Sequence, residues 1–343
     1  MKRKVLVVST SNHSRGGIAT VVSAISRLDV WKEYNCSWIK THIDKGFAQK
    51  LWCLISGLLK YIILLPFYDI VHIHVSTTVS ANRKYIFYRL AKFFGKKTLI
   101  HLHCGSQLSE IWNGKYEDMF TNCETCLTLS NSIKEYILSR VAPKGKIEVL
   151  YNPCPNVPCS NSPKNDNNTI LFAATLYKAK GYLDLIEAFG RIADRHPDWR
   201  LLLAGNGDQQ EGISMASKYG IENRTEFLGW IKGDRKDEIF RTSTIFCLPS
   251  YAEGFPMAIL DAWAYGLPVI TTPVGGVPDI VIDGKNGLLF TPGNVTMLSE
   301  KLELLITDIM LRQKLSDEAR KLADTTFNEK TISKKMSEIY SIL

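Results

Sequence analysis

The stretch Ser243–Asp279, STIFCLPSYAEGFPMAILDAWAYGLPVITTPVGGVPD, decides the fold. It holds two short apolar runs, Ile245–Leu248 and Pro268–Thr271, of the kind that form buried strands. Between them, Pro256 suits the first turn of a helix, and Gly266 suits the position just after its end. The stretch therefore predicts a strand, a loop, a helix and a second strand.

Two acidic residues lie near the start of this helix. Glu253 precedes the helix, and Asp261 follows eight positions later, in its second turn. The first N–H groups of a helix lack helical acceptors and its dipole favours negative charge, so this loop suits a phosphate. The two acids could accept hydrogen bonds from neutral hydroxyls, as on a sugar. The alternative is that Glu253 only caps the helix and Asp261 is a solvated surface residue.

The motif EGFPMAILDAWAYGLPVITTPVGGVPDIV, continuing to VIDGKNGLLFTPG, resembles the C-terminal donor-site signature of retaining glycosyltransferase family 4, of the bacterial surface-polysaccharide type. The resemblance covers nearly the whole chain, because several separate motifs occur in the family's order. It implies a GT-B fold, in which two Rossmann-like α/β domains with doubly wound parallel sheets face each other across a cleft. The family pattern has Glu at the second acidic position, where this chain has Asp261.

The resemblance also implies roles for individual residues. Glu253 would contact the donor sugar and Asp261 would hold the nucleotide ribose, with one methylene less than the family's Glu. Backbone groups after one strand would meet the base, and backbone groups at the helix start would meet the diphosphate. These implied donor-binding residues are Gly229, Trp230, Ile231, Gly254, Phe255, Pro256, Met257 and Ala258.

A lysine lies at the first strand-to-helix turn of the C-terminal half. Lys180 leads into a helical pattern after the strand Ile170–Ala173, and a mobile ammonium with three donors suits a diphosphate. The family usually has an arginine five positions earlier, where this chain has Thr175, and Lys178 could partly replace it. The alternative is a solvated turn lysine.

The N-terminal half alternates short apolar runs with helical patterns, which is typical of a parallel sheet with covering helices. After the first strand, Gly16 and Gly17 precede a helix, and glycines allow close backbone approach to a phosphate or an acceptor. The spacing is not G-x-G-x-x-G, so dinucleotide binding is not indicated. In the family, this loop lies at the cleft, near the donor phosphates or the acceptor.

His103 ends the strand of TLIHLHCGS, at the carboxyl edge where α/β folds place their ligand sites. A lone strand histidine is more often structural, and His101 points the same way two residues deeper. The family carries a histidine in the same context, beside the donor sugar and the acceptor. We therefore predict His103 and Glu253 as the catalytic residues.

Two segments of the N-terminal half suit a membrane surface. Leu51–Phe67 is apolar but interrupted by Lys60, and a spanning helix needs about 20 mainly apolar residues. A core helix and an interfacial helix both fit it. The segment Arg83–Lys97 mixes basic and aromatic residues, which suits an anionic membrane or an ordinary helix with a solvated basic face. Residues 1–165 carry a net charge of +12 and residues 166–343 carry −4, so the first half is expected to face something anionic.

Composition narrows the compartment and the cofactors. The start, MKRKVLVVSTSNHS, fits a strand and not a signal peptide, so the eight cysteines are expected to be reduced in the cytosol. The pairs Cys123/Cys126 and Cys154/Cys159 lack zinc-ribbon spacing, and no D-x-D occurs, so we predict no metal and no cofactor. Nucleic acid is not an expected partner, because no nucleic-acid-binding signature appears. The predicted location is the cytoplasm, peripheral on the inner face of the cell membrane.

These patterns divide the chain. Residues 1–155 are predicted to form an acceptor-binding domain, and residues 169–325 a nucleotide-sugar-binding domain. Residues 156–168, rich in Pro, Asn and Ser, are predicted as the linker. Residues 326–343 are predicted as a helix that crosses back to the first domain, as in GT-B folds.

The sequence thus predicts a retaining glycosyltransferase that moves a sugar from a nucleoside-diphosphate sugar to a glycan or lipid-linked saccharide. Two alternatives remain. A GT-B sugar-nucleotide epimerase would share the donor site without a second substrate. A catalytically silent partner subunit would fit the Thr175 and Asp261 departures from the family pattern.

Overall fold

A computed structural model describes residues 2–14, 17–104, 108–157 and 167–343. The chain divides into two compact units. The first unit is Met1–Pro153 together with Glu329–Leu343, and the second is Cys154–Asn328. Most of the predicted linker, residues 158–166 with Cys159, lies outside the described residues.

The first unit contains a six-stranded, all-parallel sheet with the order β2-β1-β3-β4-β5-β6. Its strands are β1 Val5–Ser9, β2 Ser37–Lys40, β3 Ile70–Val75, β4 Lys97–Leu102, β5 Thr125–Thr128 and β6 Lys146–Val149. Every residue of β1 and β3 is buried, because helices cover both faces of a parallel sheet. The covering helices are α1 Gly17–Ile25, α2 Asp29–Glu33, α3 Phe47–Leu64, α4 Thr78–Phe93, α5 Leu108–Ile111, α6 Gly114–Asn122 and α7 Asn131–Arg140.

The second unit repeats this plan with the order β12-β11-β10-β7-β8-β9, again all parallel. Its strands are β7 Thr169–Ala173, β8 Arg200–Ala204, β9 Thr225–Gly229, β10 Ile245–Leu248, β11 Val269–Thr271 and β12 Leu288–Leu289. Its helices are α8 Tyr182–Gly190, α9 Gln209–Lys218, α10 Asp234–Thr242, α11 Met257–Ala264, α12 Val295–Thr307 and α13 Ile309–Thr325. The predicted class of two doubly wound, Rossmann-like parallel sheets is confirmed.

The strand order of each sheet defines a point where the winding reverses. In the second unit this point lies between β7 and β10, and in the first unit it lies between β1 and β3. Connections leave such a pair of strands in opposite directions, so a crevice opens outside their carboxyl ends, where ligands bind in open α/β sheets. A ligand-binding site is therefore expected at these two edges.

The last helix, α14 Glu329–Ile342, belongs to the first unit. Ser333 Oγ accepts a hydrogen bond from the Val30 N–H at 3.1 Å. Tyr34 Oη donates to the Ser337 carbonyl at 2.9 Å. The Tyr340 ring packs edge-on against Tyr34. The chain thus returns to the first unit after passing through the second.

Helix α3 lies on the surface of the first unit, attached along a narrow strip. Gly57 and Tyr61 are its fully buried residues, and Tyr61 Oη donates to the Phe87 carbonyl at 2.8 Å. A Cβ on Gly57 would lie 2.1 Å from the Lys40 carbonyl oxygen, so the helix approaches β2 where only glycine fits. The core-helix interpretation of Leu51–Phe67 is wrong, because most of its large apolar side chains are exposed.

We predict that Gly57→Ala destabilises the protein by about 1–3 kcal/mol, because the added methyl forces α3 away from β2. Urea unfolding would measure the loss. Gly114→Ala is the matched control, since a Cβ there meets no atom within 4 Å, and it should leave stability unchanged or slightly higher. Equal stability of the two variants would show that α3 does not depend on this contact.

Candidate functional site

In the second unit, a charged pair lies at the point where the winding reverses. Lys180 follows β7 and Glu253 follows β10, and Lys180 Nζ donates to Glu253 Oε1 at 2.7 Å. The Lys180 side chain is 26% exposed and that of Glu253 is 8% exposed. The two residues come from separate predicted motifs, and the fold brings them together beside the start of α11.

Two glycines allow the loops that carry this pair to approach closely. Gly181 has φ of +68°, and a Cβ there would lie 2.0 Å from the Pro249 carbonyl oxygen. Gly275 has φ of +58°, and a Cβ there would lie 1.9 Å from the Glu253 carbonyl oxygen. Any other residue would meet both a strained φ and a backbone clash. The position of Glu253 is therefore fixed by backbone contacts on two sides.

Ser250 supports Glu253 and was missed by sequence reasoning. Its fully buried hydroxyl donates to Glu253 Oε1 at 2.6 Å. Thr272 in turn donates to the Ser250 carbonyl. A hydroxyl three residues before the acid was the available signal. With Ser250 and Lys180 on the same oxygen, Glu253 is held in one orientation.

Asp261 lies on α11 and forms an ion pair across to α10. Lys236 Nζ lies 2.8 Å from Asp261 Oδ1, and the Asp261 side chain is 18% exposed. Burial raises the pKa of the Asp261 carboxyl, and the Lys236 charge acts in the opposite direction. The solvated-residue alternative is therefore wrong for Asp261. Lys236 was not singled out from the sequence, because it lies in a generally charged segment.

The other residues predicted for the donor site lie at or near the predicted start of α11. Pro256 is the N-cap of α11 rather than its first residue, and Met257 and Ala258 form the first turn. Phe255 and Pro256 are buried, while Gly254 is partly exposed. Gly266, with φ of +67°, follows the helix end as predicted.

The residues predicted to meet the base lie at the end of β9 and directly after it. Gly229 has φ of +65°, and Trp230 after it is 52% exposed. Ile231 is partly buried. Lys178, considered as a partial replacement for the family's arginine, pairs with Glu211 at 2.9 Å on the surface.

In the first unit, His103 lies at the carboxyl end of β4, against a neighbouring histidine. Its Nε2 lies 2.8 Å from Nδ1 of His74, on β3. Burial, together with the charges of His101 and Lys84, holds the pKa of His103 well below its usual range. The pKa of His74 also lies well below its usual range, mainly because of burial. Both rings are therefore neutral near pH 7, so His103 can exchange hydrogen bonds but carries no charge.

His103 and His74 belong to a stack of four histidine rings, together with His101 and His72. His72 lies beside His101, with Nε2 3.3 Å from Nδ1, and its other nitrogen lies 2.7 Å from Tyr340 Oη. The rings stack with centroids 4.2 Å apart for His72 and His74, and for His101 and His103. The spacing H-x-H in two adjacent strands was the sequence signal, and it was overlooked for His72 and His74.

Three of these rings, His72, His74 and His101, place nitrogens within 4.8 Å of one another, close enough for a metal ion. Both His72 nitrogens already have partners, and His74 Nδ1 faces His103. The Nε2 atoms of His74 and His101 are buried without a hydrogen-bond partner. Lys84 also lies beside the stack, so the arrangement suits stacking better than coordination by three ligands.

Lys84 is the main correction to the basic segment Arg83–Lys97. Its side chain is fully buried, and Nζ donates to the His74 carbonyl and to Ser80 Oγ. Burial lowers its pKa well below the usual range. Lys92 is also engaged, with Glu124 at 3.0 Å. This helix therefore presents fewer free cations than the sequence suggested.

The glycine loop of the first unit is only partly described. Gly16 lies outside the described residues. Gly17 begins α1 and is exposed, and a Cβ there would meet no atom within 4 Å. No contact within the described chain therefore requires glycine at position 17.

Comparisons with known proteins agree with this geometry. Residues 158–322 match the family model of glycosyl transferases group 1. An uncharacterized glycosyltransferase of Haemophilus influenzae is 30% identical over 224 residues, which are 64% of this chain and 62% of that protein. A lipopolysaccharide 1,6-galactosyltransferase of Salmonella typhimurium is 30% identical over 186 residues, 53% of this chain and 52% of that protein. The chain spans less than two thirds of the length of either relative.

A solved structure extends the likeness to the whole chain. Anabaena HepE in complex with UDP-glucose has a TM-score of 0.79 at 20% identity, covering 99% of this chain and 100% of that one. The fold is GT-B, with two Rossmann-like domains. The likeness to the glycosyl transferases group 1 family model lies within the second unit, and the likeness in fold extends over the whole chain.

The histidine stack predicts acid sensitivity. Burial lowers the pKa of His101 to about 3, whereas an unfolded histidine titrates near 6.5. Below pH 6.5 the unfolded chain takes up a proton that the folded chain refuses. Stability should therefore fall by about 1.4 kcal/mol per pH unit for this group as pH drops toward 3.

Urea unfolding at pH 7 and at pH 5.5 would test this for wild type and His101→Leu. The variant should lose less stability over this interval. Ile100→Val, a buried change on the same strand, should lower stability by about 0.5–1.5 kcal/mol at both pH values. Identical pH slopes in wild type and His101→Leu would contradict a neutral, buried His101.

Proposed function

We propose that this chain is a retaining family 4 glycosyltransferase that transfers a sugar from a nucleoside diphosphate to a saccharide or lipid-linked acceptor. The observation that carries the proposal is the pair Lys180–Glu253, at 2.7 Å, outside the carboxyl ends of β7 and β10. It lies inside the segment that matches the family model. A cation for phosphate and an acid for sugar hydroxyls thus occupy the edge where this fold binds ligands.

The donor's leaving group is a nucleoside diphosphate, which gains negative charge as the glycosidic bond breaks. Lys180 and the first N–H groups of α11 would stabilise that charge. We expect no metal in this role, because the sequence contains no D-x-D. Asp261 would hold the ribose, and Lys236 at 2.8 Å keeps its carboxylate in place.

Glu253 would accept hydrogen bonds from the donor sugar. Ser250 and Lys180 both reach Oε1, so its second oxygen is the one best placed for a sugar hydroxyl. His103 would contribute a neutral ring to the transferred sugar or to the acceptor. No residue is singled out as a covalent nucleophile, which favours a front-face route to retention.

The relatives bear on the substrate class. The Salmonella relative is named as a lipopolysaccharide galactosyltransferase, and HepE was solved with UDP-glucose. We propose a UDP-sugar as the first donor to test, and surface polysaccharide synthesis as the process. We also propose a cytoplasmic location, peripheral on the inner face of an anionic membrane.

Binding of UDP-, GDP- and ADP-sugars, followed by turnover on candidate acceptors, would test the proposal. Transfer with retained anomeric configuration supports it. Nucleotide release without an acceptor, with inversion at C2, would instead show an epimerase. Tight donor binding without turnover on any acceptor would show a silent subunit.

Replacing Glu253 should mainly affect turnover, and replacing Asp261 should mainly affect donor binding. Glu253→Gln should lower kcat roughly 100-fold with little change in KM, because its contact with the sugar strengthens in the transition state. Asp261→Ala should weaken nucleoside diphosphate binding roughly 10- to 100-fold, the value of a charge-assisted hydrogen bond. Calorimetric titration and steady-state kinetics would measure both.

Asp261→Glu, which restores the family residue, should keep donor affinity. Asp317→Ala, on the exposed face of α13, is a matched loss of charge and should change neither constant. Unchanged affinity in Asp261→Ala would remove Asp261 from the ribose site.

His103→Ala should lower kcat roughly 10- to 100-fold while donor affinity stays near wild type, because the lost hydrogen bond acts on the reacting sugar. His196→Ala is the control, since His196 pairs with Glu303 at 3.3 Å in the second unit. Steady-state kinetics would compare them. A wild-type turnover number in His103→Ala would exclude His103 from the site.

A further inference from the structure

A cleft of about 680 Å³ opens in the first unit between α3 and the ends of β1 and β2. Its lining residues are Ser11, His13, Trp38, Lys40, Ile43, Lys45, Ala48, Gln49, Trp52, Cys53, Ser56, Gly57 and Lys60. Three of them are lysines, and no carboxylate is among the described lining residues. The cleft therefore has the charge and size of a site for an anionic ligand.

The lysines come from both walls of the cleft. Lys40 ends β2, Lys45 precedes α3, and Lys60 lies on α3. Lys60 Nζ donates to the Trp38 carbonyl at 3.2 Å, which brings its ammonium across from the helix to the strand. The close approach at Gly57 holds the two walls together. Three lysines around one cleft suit a phosphate.

The helix face next to the cleft is apolar and exposed. At helical spacing, the residues that line the cleft lie along one side of α3, and the apolar residues lie along the outward side. The exposed apolar residues are Phe47, Leu51, Trp52, Ile55, Leu59, Ile62, Ile63 and Phe67. Trp52 belongs to both sets, so the apolar face begins at the edge of the cleft.

The stretch Phe47–Phe67 is long and apolar enough to cross a membrane by length and composition. Gly57 and Tyr61 nevertheless attach it to the folded unit along its inner side. A helix held on one side and apolar on the other fits a position in the membrane interface. A hydrocarbon chain lying along its outward side would cover surface that water otherwise contacts.

We propose that this cleft binds the phosphate or diphosphate of a lipid-linked acceptor, whose hydrocarbon chain leaves along the outward face of α3. The proposal rests on the function proposed above and chooses the lipid-linked class over a free glycan. The acceptor sugar then points toward His103, because the ends of β2 and β4 share one edge of the sheet. Three strand spacings separate them, roughly 14 Å, which a diphosphate and one or two sugar rings can span.

Alkylation of Cys53, a partly buried cleft residue, gives a readout that needs no donor. Vesicles of phosphatidylcholine with phosphatidic acid should slow alkylation at Cys53, as followed by mass spectrometry. Vesicles of phosphatidylcholine alone should not. Protection by inorganic phosphate alone, at equal phosphate concentration, would show a free-phosphate site and overturn the lipid assignment.

Paired variants separate the cleft from general surface charge. Lys40→Ala with Lys60→Ala should weaken binding to the phosphatidic acid vesicles about 25-fold, at about fivefold per lysine. Lys4→Ala with Lys146→Ala removes the same charge at the opposite edge of the sheet, where both side chains are exposed. This control pair should retain wild-type affinity. An equal loss in the two pairs would overturn the proposal.

A second variant tests the hydrocarbon path without altering charge. Leu59 and Ile63 are 57% and 67% exposed on the outward face, so replacing both with Gln should not disturb the fold. Vesicle binding should fall roughly 10-fold or more per side chain. Unchanged vesicle binding would show that no lipid chain lies there. The same variants should bind the nucleotide-sugar donor with wild-type affinity. Failure of the wild-type protein to bind any nucleotide sugar would refute the proposed function, and this outcome is distinct from a loss of vesicle binding.

Discussion

The proposed donor site depends on backbone contacts that only glycine permits. Gly181 lies against the Pro249 carbonyl and Gly275 lies against the Glu253 carbonyl, each closer than a Cβ would allow. The loop after β10 therefore lies close to the backbone at Gly181 and at Gly275. In this arrangement Lys180 Nζ lies 2.7 Å from Glu253 Oε1. The position of the charged pair therefore depends on two residues that have no side chain.

A different constraint acts in the first unit, where three rings of the histidine stack, those of His72, His74 and His101, are buried. His72, His74, His101 and His103 stack along two adjacent strands, and burial lowers the pKa of each. Lys84, which is also buried, donates a hydrogen bond to the His74 carbonyl beside this stack. A neutral stack keeps the outermost ring in a fixed orientation at the edge of the sheet, which suits a residue that must direct a hydrogen bond.

The sequence predicted elements well and side-chain partners poorly. Apolar runs and capping residues located β10, α11 and β11, and the motif order indicated the fold, because these signals are local. Two partners of the acidic residues were missed: Ser250 lies only three residues before Glu253 but forms part of no recognisable pattern, and Lys236, the partner of Asp261, belongs to a charged helix. Lys84 looked like a solvated cation because nothing local reports burial. Strand order decides such pairings, and local patterns do not encode it.

The ion pair between Lys180 and Glu253 has a consequence for the order of events at the donor site. In the structure each charge satisfies the other. A diphosphate that draws the ammonium away leaves the carboxylate with Ser250 and a free lone pair. On the proposed function, arrival of the anion would free Oε1 from the lysine and leave the whole carboxylate to the sugar hydroxyls. A free sugar, which brings no anion, would find only the second oxygen open.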